Sequence, residues 1–313
     1  MPGGSASHAV EVRLAYRAPC DVVGLIRFLA ARAISGVEVV TDRGVYHRSL
    51  RLPHGAAVIA LANGTGDVEA KLWLDDRRDL DVAVASCRCL LDLDTDPAPI
   101  VHVLAHDDLI GAIVQAQPGR RVPGTTDPHE LALRAVLGQQ VSLAGAATLA
   151  ARLVAACGEP LERPCGPITH LFPSAAAVAG ADPERLAMPG SRRRALLGLA
   201  AALAGGDVAL DGSMGAEEAE RRLLALPGIG PWTVGYVAMR ALRDPDAFMP
   251  TDLGVRHGLE RLGCDGRPRS AARIAERWRP YRAYATQHLW SQLAGPTRDA
   301  SHAAPSPSVL RAQ

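Results

Sequence analysis

The spacing of apolar residues changes once along the chain. Residues 10–16 (Val-Glu-Val-Arg-Leu-Ala-Tyr) alternate apolar and polar, the period of a half-buried strand. Asp21 stands where it can cap a helix running to about residue 34. Short β-prone runs follow at 37–41, 45–52, 56–62 and 68–74, divided by turn-forming Asp-Arg-Gly, Pro-His-Gly and Asn-Gly-Thr-Gly, and a helical segment is predicted at 79–91. From about residue 97 apolar positions recur three and four apart. Helices are predicted at 107–116, 128–140, 143–157, 191–205, 216–225, 231–242, 253–262, 270–278 and 283–293. The pattern therefore predicts an α+β N-terminal domain with an antiparallel sheet (residues 10–96), then an all-α domain (97–294). Residues 1–9 and the Pro/Ser-rich 295–313 are expected to be disordered.

Composition narrows the function classes. The chain of 313 residues is 48% hydrophobic and 21% charged, the balance of an ordinary globular protein. No run of 18 apolar residues predicts a membrane span, and Met1–Ser5 lacks a secretory signal's basic region and apolar core. Of six cysteines only Cys87 and Cys89 are close together, so neither a zinc site nor an iron–sulfur cluster is expected. The net charge of +1 hides an asymmetry: residues 1–110 carry 11 basic and 15 acidic side chains, residues 191–313 carry 17 and 12. The C-terminal third is thus the part suited to a phosphate backbone. Lys71 is the sole lysine beside 33 arginines.

The sharpest local feature is Leu226-Pro227-Gly228-Ile229-Gly230-Pro231-Trp232-Thr233. Pro231 suits a first helical position, and Gly228 and Gly230 permit a tight turn with uncovered N–H groups. Those N–H groups and the following helix N-terminus suit one phosphate, with no reading of base sequence. A purely structural helical turn fits the same residues. Twenty residues on, Phe248-Met249-Pro250-Thr251-Asp252 puts a carboxylate at the start of the next helix. Asp252 can be a simple N-cap; if Thr251 caps instead, Asp252 is free for other work.

Residues 226–256 resemble the helix–hairpin–helix DNA glycosylases, and most closely the 3-methyladenine DNA glycosylase II (AlkA) branch. Phe28–Ala33, Val37-Glu38 and His47–Leu50 resemble that family's N-terminal domain. Ala135-Val136-Leu137-Gly138-Gln139-Gln140-Val141-Ser142 resembles its minor-groove segment, and Arg277–Ala285 with His288-Leu289-Trp290 its closing helices. The likeness spans about residues 10–295. It implies a monofunctional enzyme of base excision repair that flips alkylated purines out of double-stranded DNA and hydrolyses their N-glycosidic bond. A monomer at the nucleoid of the cytoplasm, with no membrane partner, is expected. Lyase relatives carry a lysine where this chain has Trp232, so strand cleavage through a Schiff base is not expected.

The resemblance assigns roles residue by residue. Asp252 is the catalytic carboxylate. Trp232, Tyr236, Trp290 and Phe28 line the base pocket, where aromatic faces favour a cationic alkylpurine. Gly228, Gly230 and Thr233 of the hairpin, with Gln139 and Gln140, contact DNA; Gln140 stands where a known relative has an apolar wedge. No cofactor is required, although the carbonyls of Leu224, Leu226 and Ile229 are expected to hold a monovalent cation. Leu253 replaces an aromatic. Arg192–Arg194 reads as a solvated basic run with phosphate contact as the alternative, and His102 and His106 lack a third ligand for a metal.

Overall fold

The computed structural model describes residues 9–293; of the two segments expected to be disordered, all but residue 9 lie outside the described residues. Strands β1 (Val10–Ala15), β2 (Glu38–Val40), β3 (Tyr46–Leu52), β4 (Gly55–Asn63) and β5 (Asp67–Leu74) form one antiparallel sheet in the order β1-β5-β4-β3-β2. Helices α1 (Val22–Ala30) and α2 (Leu80–Leu90) accompany it. Along β5, Val68, Ala70, Leu72 and Leu74 are buried at every second position, as the alternation predicts. They share a core with Leu25, Ile26 and Leu29 of α1 and Cys87 and Leu90 of α2.

The remaining helices are α3 (Pro97–Leu104), α4 (Gly111–Ala116), α5 (Pro128–Leu137), α6 (Leu143–Cys157), α7 (Ala175–Ala179), α8 (Gly190–Ala204), α9 (Ala216–Ala225), α10 (Pro231–Arg240), α11 (Leu253–Arg261), α12 (Pro268–Ala275) and α13 (Arg282–Ser291). Capping follows simple chemistry. Asp21 accepts the Gly24 N–H at 2.8 Å, Asp127 precedes Pro128 and caps α5, and Ser142 caps α6. Ile100, Leu104 and Val114 pack with Met249, Trp278 and Leu289, whereas α5 packs with α8 and α10 in a separate core. Among the described residues no helix is long and apolar enough to cross a membrane.

Three expectations need correction. The region after 97 is not purely helical: β6 (Glu159–Cys165) and β7 (Ile168–Leu171) make a hairpin. Pro160 and Pro164 suppress its strand signal, and it exists because it packs on the N-terminal sheet, where Ser49 Oγ donates to the His170 carbonyl at 2.7 Å. Helix α1 stops at Ala30 rather than near residue 34, because the Ile34 N–H is taken by the Glu38 carboxylate at 3.2 Å. Helix α5 ends at Leu137, so Gln139 and Gln140 lie outside it, and Gln140 has a left-handed backbone with φ 54°.

The sheet and the helices are joined by buried charge. Arg48 on β3 donates to Glu130 on α5 at 2.7 Å, and Arg134 one turn on contacts Glu130 at 2.7 Å and Glu38 at 3.0 Å. Tyr46 O–H donates to Glu38 at 2.5 Å. Two guanidiniums and two carboxylates sum to zero, which is what lets the cluster survive burial. Arg134 also donates to the Arg32 carbonyl at 2.6 Å and so ties the end of α1 to α5. Burial alone would raise the Glu130 carboxyl, but Arg48 and Arg134 outweigh it and hold the group below its ordinary value.

Glu130→Gln leaves two buried guanidiniums sharing one carboxylate. It should lower stability to denaturant by about 3–5 kcal/mol; a loss under about 1 kcal/mol would contradict the assignment. In the native protein the folded Glu130 value lies below the unfolded one. Its contribution is therefore complete above the ordinary carboxylate range and lost as pH falls through the depressed folded value. The Gln variant should accordingly show a flatter decline of stability with acid than the parent.

Candidate active site

The loop between α9 and α10 forms the tight turn that its glycines predict. Gly228 has φ 85°, and a Cβ there would come within 2.6 Å of the Ala195 Cβ on α8, so both the turn and the close approach exclude other residues. Ile229 is buried in the core, and its N–H bonds the Leu226 carbonyl at 3.1 Å. Gly230 begins α10 with no side-chain cap and Pro231 at the first turn, leaving the first N–H groups of the helix without an intrahelical partner. The Thr233 side chain is buried and its hydroxyl accepts from Gln139 Nε2 at 3.0 Å, so only its backbone is available to a phosphate. Gln139 Nε2 also reaches the Gly228 carbonyl at 3.1 Å. Gln140 beside it is exposed.

Asp252 is itself the N-cap of α11, and Thr251 is exposed. Of the two candidate caps it is therefore Asp252 that serves, yet capping does not exhaust the carboxylate. Oδ1 accepts the Val255 N–H at 2.8 Å and the Trp290 indole N–H at 2.8 Å, and Oδ2 accepts the Trp232 indole N–H at 2.9 Å. Three N–H donors suit an ionised, acceptor-only carboxylate with about four lone-pair sites, so Oδ2 keeps one site open. Gly254 makes this convergence possible: a Cβ there would lie 2.6 Å from Trp290 Cδ1 and 3.0 Å from Asp252 Oδ1. Leu253 next to Asp252 is 61% exposed, an apolar side chain at the rim rather than in the core.

The four aromatic residues come together as two stacked pairs. Trp232 and Tyr236, four apart on α10, have ring centroids 5.5 Å apart; Phe28 of α1 and Trp290 of α13 are 6.1 Å apart. Each pair presents one indole N–H to Asp252. Sequence reading missed two cations among them. The Arg32 guanidinium lies 3.6 Å from the Phe28 centroid and 5.9 Å from that of Trp290. Arg240 donates to the Tyr236 hydroxyl at 2.8 Å and to the Gly124 carbonyl at 2.8 Å. Each sits four residues after an aromatic on its own segment, Phe28 to Arg32 and Tyr236 to Arg240, which is the one signal that could have found them. The Phe28 face expected to lie open to a base is thus covered by a guanidinium. Burial would raise the Tyr236 phenol, but Arg240 and Arg32 outweigh it and hold it below its ordinary value; burial lowers Arg32 in turn.

Other candidates take plainer places. Arg192 donates to the Gln139 carbonyl at 2.5 Å, and Arg193 to the Pro183 carbonyl at 2.9 Å, so neither is simply solvated. His106 Nδ1 is 2.7 Å from the His102 carbonyl oxygen, and among the described residues no three His, Cys, Asp or Glu side chains are grouped to hold a metal. The six cysteines are free thiols.

Comparison with known proteins fits this geometry. Residues 11–127 match the AlkA N-terminal domain, and residues 133–282 match the HhH-GPD superfamily of base excision DNA repair proteins. A probable bifunctional transcriptional activator/DNA repair enzyme AlkA of Mycobacterium tuberculosis is 47% identical over 292 residues; the match covers 93% of this chain but only 59% of that relative's length. DNA-3-methyladenine glycosylase 2 of Escherichia coli is 34% identical, over 88% of this chain and 95% of the relative. The structure of a 3-methyladenine DNA-glycosylase from Archaeoglobus fulgidus has the same fold, with a TM-score of 0.75 at 21% identity, covering 90% of this chain and 97% of that one. On both halves of its length, and over nearly the whole of its Escherichia coli relative, the chain belongs to the AlkA family within the HhH-GPD superfamily of base excision DNA repair proteins.

Proposed function

We propose that the chain is a monofunctional DNA glycosylase that hydrolyses the N-glycosidic bond of alkylated purines flipped from duplex DNA. The observation that carries this is Asp252, held by the Trp232 and Trp290 indoles with one oxygen site left open. As the bond from C1′ to the base nitrogen breaks, the sugar gains oxocarbenium character, and a fixed carboxylate stabilises that charge without reorganising. The free site on Oδ2 suits either the sugar or the attacking water.

Magnitudes assign the work within the site. One aromatic face offers a cation about 0.5–2 kcal/mol, and three of the four rings here, Phe28, Trp290 and Tyr236, already lie near guanidiniums. A carboxylate about 4 Å from a cation contributes about 4 kcal/mol near a protein surface. Asp252 therefore does more than the rings to favour a positively charged base or sugar. The rings set shape and stacking, and the Arg32 and Tyr236 polar groups supply hydrogen bonds to the base edge. A base already alkylated at N3 or N7 is a good leaving group and needs no acid partner for Asp252.

DNA contact follows from the same elements. The hairpin N–H groups at Gly228, Gly230 and Thr233 take one phosphate, and Gln140 enters the gap left by the extruded base. The carbonyls of Leu224, Leu226 and Ile229 suit a monovalent cation, since the first lies in the last turn of α9 and the Leu226 carbonyl keeps a second lone pair beside the one given to the Ile229 N–H. Such an ion would add positive charge beside the phosphate. Absence of strand cleavage follows from chemistry: Trp232 has no amine to form a Schiff base, and the sole lysine, Lys71, is on β5 paired with Glu11 at 2.8 Å.

Asp252→Asn should reduce release of methylpurines by at least about a hundredfold while leaving binding to abasic DNA largely intact; excision at the parental rate would refute the assignment. Gly254→Ala should push the Trp290 indole from Asp252 and cut the excision rate with little change in DNA affinity. An unchanged rate would show that the Trp290 contact is dispensable. Borohydride treatment during turnover should trap no protein–DNA adduct, and a stable adduct would restore lyase chemistry.

A further inference from the structure

Arg192 was expected either to be solvated or to touch phosphate, and the structure gives it a different partner. It is half-buried near the start of α8, and its Nη2 donates to the Gln139 carbonyl at 2.5 Å. Its Nε is buried with no protein partner, so the guanidinium is committed inward rather than presented to solvent. Gln139 is held from the other side as well, its amide donating to the Gly228 carbonyl and the Thr233 hydroxyl. The third edge is the close approach of Ala195 on α8 to Gly228. Helix α8, the phosphate-binding hairpin and the groove loop thus form a closed triangle with the Gln139 peptide at one corner.

The next residue is Gln140, one of three non-glycine residues with positive φ among those described. An L-residue other than Asn or Asp holds this conformation only where its surroundings over-determine it. The pinned Gln139 peptide is that surrounding: its carbonyl is fixed by Arg192 and its side chain by the hairpin. Beyond Gln140 the loop is exposed through Leu143 and is next held where Ser142 caps α6, so on the α5 side the Gln139 peptide is the fixed point nearest Gln140.

We propose that Arg192 is a positioning residue for base flipping: by fixing the Gln139 carbonyl it pre-sets the strained Gln140 backbone, so that Gln140 stands ready to fill the vacated stack. The inference rests on the glycosylase reading for its biological meaning, but its physical content is recognition of a gap in the duplex. A phosphate contact would act differently, weakening all duplexes alike and lowering the salt dependence.

The test compares the full chain with R192A, R192K, Q140A and R192A/Q140A for binding to two duplexes over a range of salt. One duplex carries a single tetrahydrofuran abasic analogue and the other is undamaged. Loss of one charge-assisted hydrogen bond should reduce the preference of R192A for the abasic duplex about tenfold, with unchanged affinity and salt slope on undamaged DNA. R192K, which keeps a cationic donor, should recover most of that preference. In the Q140A background, R192A should cause no further loss, because the two act through one loop. The proposal is overturned if both duplexes weaken alike and the salt slope falls by about one, if the losses of R192A and Q140A add in full, or if Q140A alone leaves the preference intact. Release of bases from methylated DNA by the parent, measured alongside, reports separately on the glycosylase reading, because binding to the analogue requires no chemistry.

Discussion

A neutral set of four buried charges holds together everything the site requires. Phe28 and Arg32 come from the sheet-bearing half of the chain, and Trp232, Asp252 and Trp290 from the helical half. Their meeting depends on Glu38 and Arg48 of one half facing Glu130 and Arg134 of the other with every charge matched. Because Arg134 also grips the Arg32 carbonyl, the lattice reaches the pocket in a single hydrogen bond. Such clusters add little net stability compared with an apolar interface, but they tolerate only one registration, since a shift strands a buried charge. Register is what a two-part pocket needs.

Asp252 shows how one residue can carry a structural load and still suit the proposed chemistry. Its Oδ1 caps α11 and receives Trp290, a structural load that fixes the carboxylate in space. Its Oδ2 receives Trp232 alone among the described residues, which leaves a lone-pair site that suits the proposed reaction. The two indoles therefore act first as donors to the carboxylate and second as stacking surfaces. Two guanidiniums complete the picture, Arg240 holding Tyr236 and Arg32 covering Phe28. The cluster is consequently less a cage for cations than two stacked aromatic pairs converging on one carboxylate.

Much of this was legible along the chain wherever the signal is local. The alternation of β5, the Asp21 cap, the glycine turn at Gly228 and the four-residue spacing of Trp232 and Tyr236 each follow from neighbours in sequence, and the structure has them. What stayed hidden was set by contacts far apart in sequence. The β6–β7 hairpin carries two prolines and forms against a sheet more than 100 residues upstream, as the Ser49–His170 bond shows. Helical periodicity continues α5 through Gln139 and Gln140 because it cannot register a carbonyl pulled aside by Arg192. The choice between Thr251 and Asp252 as cap was undecidable locally: both are good caps, and only the indoles of Trp232 and Trp290 select Asp252.

The central claim is that this arrangement breaks glycosidic bonds to alkylated bases and nothing more. It is tested most directly by incubating the protein with duplex DNA treated with a methylating agent, then identifying the released small molecules by mass spectrometry. The account predicts free 3-methyladenine and 7-methylguanine, with strands that stay intact until treated with alkali. Tight binding to the same DNA with no base released, or strands already nicked at the lesion, would contradict it.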